Sequence, residues 1–91
     1  MIKIKKQSKQ ISQLKKGDKI LIDGKGLIVD AHYLFQDHKT TKEMIIEVYS
    51  EKTEKEYQIR YFDDQVETSL EFYALENEFQ YTKKEVGEIE W

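Results

Sequence analysis

The chain contains the run KILIDGKGLIV at residues 19–29, in which two apolar segments flank the pair Asp23-Gly24. A tight hairpin turn needs positive φ angles, which glycine adopts without strain. Apolar and polar residues alternate on both sides of the pair, which is typical of half-buried strands. The run therefore predicts a β-hairpin with strands at about 19–23 and 26–35.

Polar segments divide the rest of the chain into further strands. Residues 36–42 predict a loop, and Asp63-Asp64 ends a strand. The alternating segments predict strands at 42–50, 55–62 and 66–75, and two short strands at 78–82 and 86–91. A helix over 66–79 is the alternative for one segment, because its apolar residues partly fit a 3.6-residue period, but its β-branched and aromatic content favours a strand.

Ninety-one residues allow one domain, and short strands joined by short turns predict an all-β barrel or sandwich. A barrel is favoured because curling the sheet removes exposed edges. Residues 13–91 are expected to form this domain, and residues 1–12 a basic N-terminal arm whose order the sequence leaves open. The predicted interior consists of Ile20, Ile22, Leu27, Val29, Met44, Ile46, Val48, Ile59, Leu70 and Phe72.

The net charge of −3 is unevenly distributed. Residues 1–19 hold seven lysines and one aspartate, a net charge of +6, which leaves −9 for residues 20–91. A uniformly basic nucleic-acid-binding protein has a different pattern. The basic arm could touch phosphates, fold back on the acidic body or simply keep the chain soluble, and the last role is favoured.

Several functional classes are excluded or disfavoured. The absence of cysteine excludes disulfides, a thiolate nucleophile and cysteine-based zinc sites. The N-terminus does not resemble a secretory signal, and no apolar run could span a membrane, so a soluble cytoplasmic protein is expected. No P-loop, nucleophile elbow or dinucleotide fingerprint is present, so we expect neither an enzyme nor a cofactor.

Two histidines and two aspartates lie close together in the sequence. Asp30, His32, Asp37 and His38 could bind a divalent metal. A metal site, however, needs three or four converging ligands with supporting contacts. We therefore interpret these as ordinary polar surface residues and expect no metal.

The segment LKKGDKILIDGK at residues 14–25 resembles the opening of the N-terminal domain of translation elongation factor P and its relative, initiation factor 5A. The likeness extends over about residues 14–67 and implies an SH3-like barrel, close to KOW-type barrels, with one or two extra C-terminal strands. It places Lys39 in the loop where the family carries a modified lysine. That loop has no glycine here and the body is acidic, so the resemblance implies a shared fold without the family's activity.

Eleven aromatic residues are more than so small a core is expected to hold. Alternation predicts Arg60 and Phe62 on the sheet face opposite Tyr57 and Tyr61. Exposed aromatics can stack bases or anchor a protein partner, and arginine beside aromatics suits both. The residues expected to bind nucleic acid or a partner are Lys15, Lys16, Tyr33, Lys39, Lys42, Arg60 and Phe62.

Two functional hypotheses follow, and neither involves catalysis or a membrane. In the first, the module contacts RNA, other nucleic acid or the translation machinery through its loops, basic arm and surface aromatics. In the alternative, it binds a peptide or protein in an aromatic groove or at an open sheet edge. The acidic body favours the second and the resemblance favours the first, which we prefer because the resemblance is the more specific signal. The oligomeric state stays open.

Overall fold

The computed structural model describes residues 1–91 as eight strands and two short helical segments. The strands are β1 (Lys3–Lys6), β2 (Lys19–Ile22), β3 (Lys25–Asp37), β4 (Lys42–Tyr49), β5 (Glu56–Phe62), β6 (Glu71–Leu75), β7 (Tyr81–Lys84) and β8 (Glu88–Glu90). A 3-10 turn spans Ile11–Gln13, and the helix α1 spans Val66–Ser69. Neither helical segment has the length or apolar character needed to cross a bilayer.

All eight strands belong to one mixed sheet, in the order β1-β8-β2-β3-β4-β5-β6-β7. β1 and β8 are parallel, and the other neighbours are antiparallel. The prediction of a mostly-β chain that curls around an aliphatic interior is confirmed, but the prediction of a closed small barrel is wrong. The sheet is a half-barrel whose edges, β1 and β7, do not pair. Both edges are four-residue strands that end in Lys-Lys, and short lysine-rich edges disfavour further pairing.

The β2–β3 hairpin forms at the predicted turn. Asp23 and Gly24 have φ angles of 49° and 81°, and Ile22 pairs with Lys25. Two positive φ angles give the turn the twist that matches two right-handed strands. β3 continues to Asp37, so the predicted loop shortens to four residues, 38–41.

Replacing Gly24 with valine should lower the free energy of unfolding by about 1–2 kcal/mol, because a β-branched residue is strained at positive φ. Urea unfolding followed by circular dichroism would measure the change. The matched control is Lys25→Val, which puts the same side chain on the adjacent exposed strand position. Equal stability of the two variants would contradict the role assigned to the turn.

The predicted strand at 66–75 is correct only in its second part. Residues 66–69 form α1, and β6 begins at Glu71. Val66 and Leu70 are four residues apart, so one helical turn directs both toward the core, where Leu70 is buried and Val66 packs beside it. The Phe62 backbone N–H donates to Ser69 Oγ at 2.8 Å, which fixes α1 against the end of β5.

The N-terminal segment is part of the sheet. Lys3–Lys6 pairs with β8, and Ile2 and Ile11 are buried. Trp91 joins this segment to the C-terminus, because its indole Nε1 donates to the Lys9 carbonyl at 2.7 Å. Residues 1–12 therefore act as a structural element of the half-barrel.

The sheet has two different faces. The inner face carries the core, which includes every predicted interior residue except Met44, whose side chain stays partly exposed. Further core residues are Ile2, Ile11, Leu14, Tyr61 and Ile89. The outer face is the opposite side, which carries Arg60 as predicted. Ile45 and Gln58 are buried on that face by their neighbours.

Candidate interaction site

Aromatic side chains surround a single arginine on the outer face. Tyr33 pairs with Ile45, Ile45 with Arg60, and Arg60 with Glu71, so these residues form one row across four strands. The adjacent row contains Glu47, Gln58, Tyr73 and Lys83. Because side chains two residues apart on a strand share a face, the rows form one surface. We define the aromatic face as Tyr33, Phe35, Arg60, Tyr73 and Tyr81.

Arg60 is held by rings and by one amide. Its Cζ lies 3.9 Å from the centroid of the Tyr73 ring and 5.5 Å from that of Phe35. Its Nε and Nη2 donate to Gln58 Oε1 at 3.1 and 2.9 Å. Gln58 is only 6% exposed, so its amide is a fixed support. Cation–π attraction and paired hydrogen bonds together give the guanidinium a defined orientation.

The nearby carboxylates are engaged with their own neighbours. Lys83 Nζ lies 2.9 Å from Glu71 Oε2, and the Tyr73 hydroxyl donates to Glu71 Oε1 at 3.1 Å. The bond from Lys83 lowers the pKa of Glu71. Burial, followed by the neighbouring Glu47 carboxylate, raises the pKa of Tyr33 to about 12. These contacts strengthen the preference of Glu71 for its charged form and of Tyr33 for its protonated form.

Much of the aromatic face is open to solvent. Phe35 is 51% exposed and Tyr33 is 40% exposed, on the part of β3 that leads to the hairpin tip. The register between β3 and β4 shifts between Leu34 and Gln36, at a bulge beside Phe35. Bulges commonly redirect a side chain, and rigid strands present side chains more accurately than loops do. An arginine among partly exposed rings on a rigid sheet has the composition of a binding hot spot.

Only part of the predicted site comes together. Tyr33 and Arg60 lie in one row, and Phe62 lies farther along β5, where its ring centroid is 5.7 Å from that of His38. The remaining predicted residues lie outside the aromatic face. They are Lys15, Lys16, Lys39 and Lys42.

Each of these lysines lies near an acidic residue or away from the outer face. Lys39 and Lys42 are at the β3–β4 tip, where their backbone N–H groups donate to Asp37 and Asp63. Lys39 has a φ of 73°, and the Asp37 bond of 2.8 Å supports this left-handed conformation.

Lys15 and Lys16 lie at the turn before β2. They border a shallow cleft with the inner-face residues His32 and Met44. The Lys15 backbone N–H donates to Asp18 Oδ2 at 3.0 Å, which places a carboxylate beside this pair as well. The lysines and Arg60 therefore do not share one surface.

Four contributors to the aromatic face are not among the predicted site residues. They are Gln58 and three of the surplus aromatics, Phe35, Tyr73 and Tyr81. The alternation that put Phe72 inside also directs Tyr73 outward, so a signal for Tyr73 was present. Phe35 lies two residues after Tyr33 on β3, so alternation gave a signal for Phe35 as well. The role of Gln58 depends on a side-chain contact within its own strand, which has no pattern in the sequence.

His32 has a structural role. Its Nδ1–H donates to the Leu14 carbonyl at 2.7 Å, and its Nε2 accepts from the Tyr61 hydroxyl at 2.7 Å. The carbonyl can only accept, which assigns the proton to Nδ1. Both ring nitrogens are thus occupied, and no three His, Asp or Glu side chains converge on a metal-sized site.

No family model, curated protein or solved structure matches the chain. The likeness of residues 14–67 to the elongation factor P domain therefore stays a prediction from the sequence. Functional inference depends on the geometry of the outer face.

Proposed function

We propose that the protein is a non-catalytic module that binds a protein partner through the aromatic face. The observation that carries the proposal is the Arg60 guanidinium, held by Tyr73, Phe35 and Gln58 between partly exposed rings. Tyrosine and arginine on a rigid surface are the residue types that dominate the energy of protein interfaces. The face is preformed, so binding costs little additional ordering.

The charge distribution supports a protein partner over a nucleic acid. Nucleic acid needs several cations along its path. Lys83, the lysine that pairs across the sheet with Tyr73, is engaged by Glu71, and Lys84, at the same edge strand, is engaged by Glu76. Lys9 is similarly paired with Asp18. A long phosphate chain would meet many carboxylates on this molecule, whereas a protein partner needs only local complementarity.

The proposal can be tested with a displayed library of random peptides, beside fluorescein-labelled single-stranded RNA and duplex DNA at low salt. We expect enriched peptides and no nucleic-acid binding. Phe35→Ala should weaken the enriched peptides by about tenfold or more, as expected for a hot-spot aromatic. Phe79→Ala is the matched control, because Phe79 is 91% exposed on the β6–β7 turn and lies outside the aromatic face.

Two results would overturn the proposal. One is the absence of enriched peptides that depend on Phe35. The other is tight RNA or DNA binding with steep salt dependence, which would support the nucleic-acid hypothesis instead. The thermal unfolding midpoints of both variants should match that of the wild type, so that loss of binding is not loss of fold.

A further inference from the structure

Arg60 is the single arginine among the 15 basic residues of the chain. Lysine serves everywhere else, at strand edges, turns and the N-terminal segment. Arginine differs from lysine in its planar fork of donors and in its ability to stack on rings. The one position that holds it is the centre of the aromatic face, where stacking on Tyr73 already uses its planar shape.

The protein uses only two of the five N–H groups of the guanidinium. Nε and Nη2 donate to Gln58, while Nη1 has no hydrogen-bond partner within the chain. No carboxylate forms a salt bridge with Arg60, although four lysines pair with carboxylates elsewhere. Since Gln58 is neutral, the positive charge of Arg60 is oriented but not neutralised.

The carboxylates near Arg60 form no salt bridge with it. Glu71, directly across the sheet, is bound by Lys83 and Tyr73. Glu43, farther along β4, lies 3.6 Å from His38 Nε2. A carboxylate brought by a partner would therefore meet an available cation at this point, between the rings of Phe35 and Tyr73.

We propose that Arg60 binds an aspartate or glutamate side chain of the protein partner through the free Nη1 and Nη2 N–H groups, while Phe35 and Tyr33 pack against the apolar residues beside it. This inference rests on the proposed function of the aromatic face. A single carboxylate suits the surface better than a run of phosphates, since the other cation of these rows, Lys83, is paired with Glu71 and Arg60 alone has no carboxylate partner. Arginine–carboxylate pairing of this kind is strong and directional.

The test uses the peptides enriched from the random library and asks whether they share an acidic residue. Arg60→Lys keeps the charge but removes the planar fork, and we expect it to weaken binding by about tenfold. Changing the shared Asp or Glu of the peptide to Asn or Gln should weaken wild-type binding similarly and have little further effect on Arg60→Lys. Such coupling identifies the two groups as partners. Lys52→Arg, in the β4–β5 turn, is the control and should bind as the wild type does.

The outcomes separate the two proposals. The carboxylate proposal fails if the enriched peptides need Phe35 for binding but share no acidic residue, or if they bind Arg60→Lys as tightly as the wild type. The proposal of a protein-binding module would then still stand. If no peptide depends on Phe35, both fail. Because Arg60→Lys could disturb its support, Gln58→Leu gives a second arm. That variant keeps Arg60 but removes the two hydrogen bonds that orient its guanidinium. It should lower the affinity for the acidic peptides more than the affinity for the same peptides with Asn or Gln in place of the acid.

Discussion

Replacing Ile89 with alanine is expected to lower the free energy of unfolding by about 2–5 kcal/mol, as large-to-small changes in a packed core do. Ile89 is 1% exposed and lies at the centre of β8. It pairs with Ile4 of β1 on one side and with Ile22 of β2 on the other. Its side chain therefore supports the strand that joins β1 to the rest of the sheet.

Urea unfolding followed by circular dichroism measures this loss, and the fluorescence of Trp91, the only tryptophan, reports separately on the N-terminal segment that its indole binds. Phe79→Ala is again the control, because it removes a larger apolar side chain from an exposed site and should change stability by less than about 0.5 kcal/mol. A loss for Ile89→Ala as small as that of the control would show that β8 is peripheral to the fold.

The position of β8 between β1 and β2 could not be predicted from the sequence. A short strand at residues 86–91 was predicted, but its insertion between β1 and β2 depends on pairing with residues that are distant in the sequence, such as Ile4 with Ile89 and Ile22 with Ile89. A weak signal exists, since the β1 sequence KIKK and the β8 sequence EIE place opposite charges around a central isoleucine. The Asp23 carboxylate accepts from the backbone N–H groups of Gly87 and Glu88, so the hairpin turn also anchors β8. That second role of Asp23 has no sequence pattern.

Turns and strand faces were easier to predict than the closure of the sheet or the grouping of the site residues. The Asp23-Gly24 turn and the inner face of β4 and β5 follow from glycine geometry and two-residue alternation, which act over a few residues. Whether a sheet closes depends on its edges, and here lysine-rich edges leave it open. In the candidate site, alternation put Arg60 on the correct face, and Tyr33 was chosen as one of the surplus aromatics. The lysines were chosen by charge and, for Lys39, by its place in the loop, and neither criterion carries information about facing direction.

Replacing Tyr61 with phenylalanine should lower stability at neutral pH by about 1–3 kcal/mol, the cost of leaving a buried polar group unpaired. Tyr61 is 2% exposed, and its hydroxyl donates to His32 Nε2. Without it, that nitrogen loses its partner, and the contact that links the Leu14 carbonyl through His32 to β5 is broken. Tyr57→Phe is the control. Tyr57 also packs against the core and stacks on Phe72 at a centroid distance of 5.1 Å, and its hydroxyl takes no part in the hydrogen bonds around His32.

The free energies of unfolding of the wild type and of Tyr61→Phe should respond differently to rising pH. Burial, with a smaller effect of the Asp63 carboxylate, raises the pKa of Tyr61 to about 12, so the fold favours the protonated phenol. The stability that this contributes is complete below about pH 10, where the unfolded chain also keeps the proton, and is lost as the pH rises toward 12. Between these values wild type should lose about 2–3 kcal/mol that Tyr61→Phe does not lose, so the two stabilities should converge. Urea unfolding at a series of pH values tests this, and parallel curves for the two proteins would mean that the Tyr61 hydroxyl ionises as readily in the folded chain as in the unfolded one.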